Sequence, residues 1–235
     1  MAERITATTM ATTPMTTDAR SLTRLMAWLS PAFPVGTFGY SHGLEQAIAE
    51  GRIRDGDSLQ AWLEAILDHG SGWNDAVLLK AAYAADETAL AGIADLALAL
   101  CPSAERLRET RDQGLAFLDA AHVWADAADS TRPAGGALPY PIAVGVEAAR
   151  AGLPLADVLA AWLHAFAANL VTIAVRAVPL GQTAGVSVLA RIEPTVLAAA
   201  ARAAGVTLED LGGAALTSDI MSMRHETLET RIFAT

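Results

Sequence analysis

The chain has 235 residues, 53% hydrophobic and 18% charged, with 16 Lys and Arg against 26 Asp and Glu for a net charge of −10. That composition excludes a disordered chain, and the length fits one large domain or two small ones with room for a sizeable core. A nucleic-acid binder needs a basic footprint to displace counterions from phosphate. Lys80 is the only lysine and no basic run stands out, so nucleic acid is not an expected partner. A single cysteine, Cys101, excludes a disulfide framework or a cysteine-cluster metal site and makes the reducing cytoplasm the expected compartment.

Residues 1–20 are Thr-rich and have no apolar core of a secretory signal, so a disordered tail is expected there. From residue 21 to 235 apolar residues recur at helical spacing, and alternating β-branched runs are nearly absent. The pattern predicts a single all-α domain, a bundle of about ten helices, over 21–30, 40–51, 57–70, 73–86, 88–100, 103–129, 139–151, 155–177, 184–204 and 217–230. The breaks have physical causes. Pro102 ends one helix and Ser103 is placed to cap the next. Gly152 suits a left-handed position after a helix, and Pro154 pre-sets φ for the following one. Thr183, after the structural turn Pro179-Leu180-Gly181-Gln182, is expected to cap the helix from Ala184. The segment RPAGGALP, 132–139, reads as a loop. Between Asp157 and Arg176 the chain carries no formal charge, a length at the edge of a membrane span. His164, Asn169, Thr172 and the many alanines make it instead a central helix packed on nearly all sides, and no membrane is an expected partner.

Most catalytic motifs fail. A nucleotide P-loop needs a glycine-rich turn before Lys-Ser/Thr, but Lys80 sits in VLLKAAY with no glycine near. No G-x-G-x-x-G fingerprint is present either. Gly39 to Gly43, GYSHG, matches the G-x-S-x-G of hydrolases, which would make Ser41 a nucleophile on a strand-to-helix elbow. Two prolines and a glycine in the preceding SPAFPVGTF are incompatible with a central strand. Ser41 then serves as a cap in a turn, and a serine hydrolase is the alternative function. HETLE, His225 to Glu229, has Glu229 where a zinc motif would have its second histidine, and two ligands at i, i+4 do not close a metal site. His69, His122 and His164 are singletons, Cys101 reads as a buried small hydrophobe, and the five tryptophans read as core fillers. No catalytic residue, metal site or cofactor is expected.

Two blocks are poorly explained by packing alone. Leu29 to Ala47, LSPAFPVGTFGYSHGLEQA, puts aromatics, prolines and glycines between two helices. Met223 to Phe233, MRHETLETRIF, combines arginines, a histidine and carboxylates with apolar Ile232 and Phe233. A segment of that mixture either docks on its own domain or grips another protein, and the Gly-rich GGAALT before it predicts that it can detach.

These blocks resemble the UreF family of urease accessory proteins. SPAFPVGTFGYSHGLE is similar to the family's SPALPVGGFSYSHGLE signature. LPYPIAVGVEAARAGLPL, RAVPLGQTAGVSVLA and SMRHETLETRIFAT follow in the family's order, so the resemblance spans about Leu22 to Thr235. The departures lie in the tail, at Glu229, Thr230 and Ala234. The resemblance implies an all-α homodimer with no enzymatic activity of its own. It also implies partners: UreD (also called UreH), the GTPase UreG and, through their complex, apo-urease, to which nickel is delivered. By the same resemblance Tyr40, Ser41, His42 and Glu45 would sit at or near a partner surface, and Arg224, His225, Glu226 and Arg231, with Phe233 as an apolar anchor, would make the tail's contacts.

Overall fold

The computed structural model describes residues 18–124 and 138–235. Among them are ten α-helices and no strand: α1 Ala19–Trp28, α2 Leu44–Ala49, α3 Gly56–His69, α4 Ser71–Ala84, α5 Glu87–Ala99, α6 Ala104–Ala121, α7 Tyr140–Arg150, α8 Leu155–Ala177, α9 Gln182–Gly205 and α10 Leu216–His225. The fold class is all-α, as the periodicity predicts. Residues 1–17 of the expected N-terminal tail, and 125–137, which include most of the expected loop and the end of the sixth helix, lie outside the described residues.

The helix starts are set by side-chain oxygens that accept otherwise orphaned backbone N–H groups. Asp18, Asp55, Asp86 and Ser103 each do so, Ser103 from Arg106 N. Gly152 adopts φ +64° directly after α7. Four boundaries differ from the sequence reading. The helix expected from residue 40 begins at Leu44, because His42 (φ +52°) and Gly43 (φ +75°) are left-handed. The expected 103–129 helix becomes a 3-10 turn after Ala121. Thr183 is not a cap: α9 starts at Gln182 with Gly181 in the cap position. The last helix stops at His225 rather than 230, because the following residues turn back onto the bundle.

Helices α8 and α9 form a long hairpin joined through Pro179 and Leu180. α3 packs on α9, and α4 and α6 pack on α7. Gly145 permits the close approach of α7 to α4: a Cβ there would lie 2.4 Å from the Leu79 carbonyl oxygen. A chain of ring contacts runs through the interior, Trp28 to Phe117 (5.5 Å), Phe117 to Tyr140 (5.8 Å) and Tyr140 to Trp162 (4.8 Å). α8 and α9 are both long and apolar enough to cross a membrane by length and composition. α8 is only half buried, not packed on nearly all sides: His164 and Thr172 are exposed along one face.

Candidate partner-binding site around a buried tail

The two blocks singled out in the sequence meet. The loop after α1 is drawn against α10 at Gly43, where a Cβ would lie 2.6 Å from Ser222 N. Glycine is needed there twice over, for its positive φ and for that contact. Residues 226–235 then leave α10 and run back under the loop. Ala234 N donates to the Gly39 carbonyl (2.6 Å), and Ser41 N donates to the Thr235 carbonyl (2.7 Å). The Ser41 hydroxyl donates to that same carbonyl and accepts from Glu45 N (3.2 Å). Ser41 is therefore a buried cap. A hydrolase nucleophile would need an exposed hydroxyl on a strand-to-helix elbow, and neither is present around Ser41.

The centre of the junction is polar and buried. Glu45, on α2, accepts from His225 Nε2 (2.9 Å), Ile232 N (2.7 Å) and Phe233 N (3.0 Å). Glu105, on α6, faces His225 Nδ1 (2.7 Å) and accepts from Arg231 Nη1 (2.5 Å). His225 is wholly buried between the two carboxylates. Glu226 reaches back to accept from Ala104 N (2.7 Å), adding a second acceptor at the start of α6.

A second layer lies beneath. His42 Nε2 faces Glu109 (2.9 Å), its ring stands edge-on to Phe166 (4.8 Å), and Thr235 Oγ1 donates to Glu109 (3.3 Å). Arg106 lies 2.6 Å from Asp75 and 3.4 Å from Glu109. Burial alone would push the Glu109 carboxyl up; His42 and Arg106 beside it outweigh that and hold it below the usual carboxylate range. At Asp75 burial wins over Arg106, and the carboxyl is pushed up. A cavity of about 50 Å³, room for a few waters, is lined by His42, Asp75, Arg106, Glu109, Gln113 and Asn169 among others. His42 Nδ1 is buried with no partner among the described residues.

The remaining residues singled out in the sequence lie at the rim or apart. Tyr40 is half-buried, its hydroxyl pushed up by burial and by Glu109. Phe233 is buried under the Arg176 guanidinium (5.4 Å). Arg224 is exposed and pairs with Glu50 (2.9 Å), whose carboxyl is held down to about 2 by Gln46, Arg52 and Arg224. Arg231 is half-exposed. Pro179, Leu180, Gly181 and Gln182 lie at the turn between α8 and α9, exposed except at the half-buried Leu180. His225 and Glu229 do not share a helix face, since α10 ends at His225. GGAALT is not a loose break: Gly212 N is held by Asn74 Oδ1 (3.1 Å), and Ala214 N by the His69 carbonyl (2.8 Å). Among the described residues no group of three or more His, Cys, Asp or Glu is placed to hold a metal ion.

The sequence reading missed Asp75, Glu105, Arg106 and Glu109. On α6 the charged positions 105, 106 and 109 read as a solvated face, yet they are buried while Leu115 is 45% exposed. The one available signal is complementarity: a buried tail carrying Arg231 and His225 needs carboxylates opposite it.

The UreF family model matches residues 53–193. A urease accessory protein UreF of Rhodopseudomonas palustris (strain BisB5) is 49% identical over 233 residues, 96% of each chain. One of Cereibacter sphaeroides (strain KD131 / KCTC 12085) is 52% identical over 215 residues, 92% of this chain and 99% of its own. With more than half the chain matched by the family model and about half the residues shared with full-length relatives, the chain belongs to the UreF family of urease accessory proteins.

Proposed function

We propose that this protein is a non-enzymatic urease maturation factor. It works in the cytoplasm as a homodimeric scaffold that bridges UreD (UreH) and the GTPase UreG so that nickel is inserted into apo-urease. Membership of a family whose relatives are urease accessory proteins supports the role. The observation that carries the scaffold reading is the interlock itself. Its polar groups are spent on holding the tail and the loop together, which leaves a shaped rim rather than a reactive group. That rim is apolar and charged together: Phe38 (58% exposed), Met223 and Ile232 (68%) stand beside Arg224 and Arg231. Aromatic, Met and Arg side chains are the types enriched at interfaces.

Exposed and buried residues of the two blocks then have separate tasks. Arg224, Arg231 and the half-buried Tyr40 face the partner, while the buried Ser41, His42, Glu45, His225 and Phe233, with the exposed Glu226 bonded to the start of α6, hold the surface in shape. Arg224→Ala combined with Ile232→Asp is expected to remove UreD from a pull-down while the melting temperature of the isolated chain stays unchanged. The pair Arg224–Glu50 is exposed, where such pairs add little to stability. Undiminished capture of UreD by the double variant would refute the rim as the docking surface.

The groove between α1 and α8, lined by Leu22, Met26, Ala161, His164 and Ala165, supports self-association, since exposed apolar area of this kind marks interfaces. Sedimentation at tens of micromolar is expected to show a dimer, and a monomer would contradict the homodimer.

A further inference from the structure

An unassigned cavity lies on the opposite side of α1 from the apolar groove. Arg20, Arg24 and Trp28 recur at four-residue spacing on α1 and so share one face. They line a cavity of about 280 Å³ together with Arg150, in the last turn of α7. In a chain with only 16 cationic residues and a net charge of −10, three guanidinium groups around one cavity are conspicuous. Like charges at i, i+4 repel, so Arg20 and Arg24 cost stability unless something offsets them.

Two carboxylates, Asp18 and Glu147, also line the cavity; both are engaged, and the Ser21 amide, helped by Arg20, holds the Asp18 carboxyl below its usual range. Asp18 accepts from Ser21 N (2.7 Å) as the cap of α1, and Glu147 pairs with Arg150 Nη1 (2.9 Å). Among the described residues neither Arg20 nor Arg24 forms a salt bridge with a carboxylate. Arg24 stacks over the Trp28 ring (5.7 Å), which leaves its N–H groups to other partners. Trp28 is 2% exposed and forms an apolar wall of the cavity. What this cavity still offers is therefore a set of donors: the guanidinium forks of Arg20 and Arg24 and the unused edge of Arg150. Such a set is complementary to an acceptor-only ligand.

We infer that this cavity binds a small oxyanion, phosphate or a compact polycarboxylate. The site is separate from the tail rim and independent of the proposed scaffold role. Calorimetry on the full chain at constant ionic strength, with inorganic phosphate in one arm, citrate in the second and chloride as the control, tests it. Saturable heat is expected with phosphate or citrate and none with chloride; the arm that saturates identifies the anion's source. Arg20→Gln with Arg24→Gln is expected to weaken that binding at least about tenfold, the loss of two charge-assisted contacts. Arg20→Gln alone, at an exposed position, should weaken it without altering the melting temperature. Flat titrations in both arms, or double-variant binding as tight as that of the parent chain, would overturn the inference.

Discussion

Glu109→Ala is expected to destabilise the chain by roughly 3–5 kcal/mol, the cost of breaking a buried ion pair and leaving its partners unpaired. Glu109 is 1% exposed and is shared by His42, Arg106 and Thr235. Its removal leaves Arg106 with Asp75 and takes from His42 Nε2 its 2.9 Å carboxylate neighbour. At about 2–4 °C per kcal/mol for a domain of this size, the melting temperature should fall by about 6–20 °C. A loss below about 1 kcal/mol in denaturant titration would show that the cluster is hydrated rather than buried. The pH dependence has a definite sign. The Glu109 carboxyl is held below its ordinary value of 4.5, so its ionisation stabilises the fold above that value. The contribution is lost as pH falls through the lower folded value. Asp75, pushed above 3.8 by burial, works in the opposite direction, since its ionised form is the disfavoured one in the fold. Glu109→Gln should therefore flatten the loss of stability below about pH 4.5, and an unchanged acid limb would contradict the assignment.

Glu45→Ala is expected to free the tail. One carboxylate holds His225 Nε2 and the amides of Ile232 and Phe233, so its loss leaves three groups without their partner, two of them at the buried residues His225 and Phe233. Each unsatisfied donor costs about 1–3 kcal/mol, more for a charged group. Together they cost more than a ten-residue segment can recover from burying Phe233 alone, about 1.5–3 kcal/mol. The readout is local: trypsin should cut after Arg231 at least tenfold faster than in the parent chain, while far-ultraviolet dichroism keeps its helical form. Equal cleavage rates would mean that Glu45 does not hold the tail.

Much of this architecture is legible in the sequence because it depends on local rules. Helices α3 to α5 and α7 to α9 follow apolar spacing, and caps such as Asp55, Asp86 and, at the start of α6, Ser103 act within a few residues. The blocks around Ser41 and His225 are visible as composition that packing does not explain. Their union is not visible, because it depends on contacts between residues more than 170 positions apart, such as Glu45 with His225. Nor is the role of α6. Glu105, Arg106 and Glu109 have the pattern of a solvated face, and only the returning tail and the loop at His42 turn that face into an interior. The end of α10 at His225 has the same origin: local spacing permits a helix to residue 230, and the long-range clasp of Glu45 on Ile232 and Phe233 overrides it.

The proposed scaffold role requires the tail to be an ordered part of this fold, with partners meeting its exposed rim. Amide hydrogen exchange of the isolated chain tests that most directly. If Glu45 accepts from Ile232 N and Phe233 N in a buried site, those two amides should be protected nearly as strongly as the cores of α8 and α4, and Glu45→Ala should abolish the protection. Exchange at Ile232 and Phe233 at the rate of an unstructured peptide in the unmodified chain would contradict it.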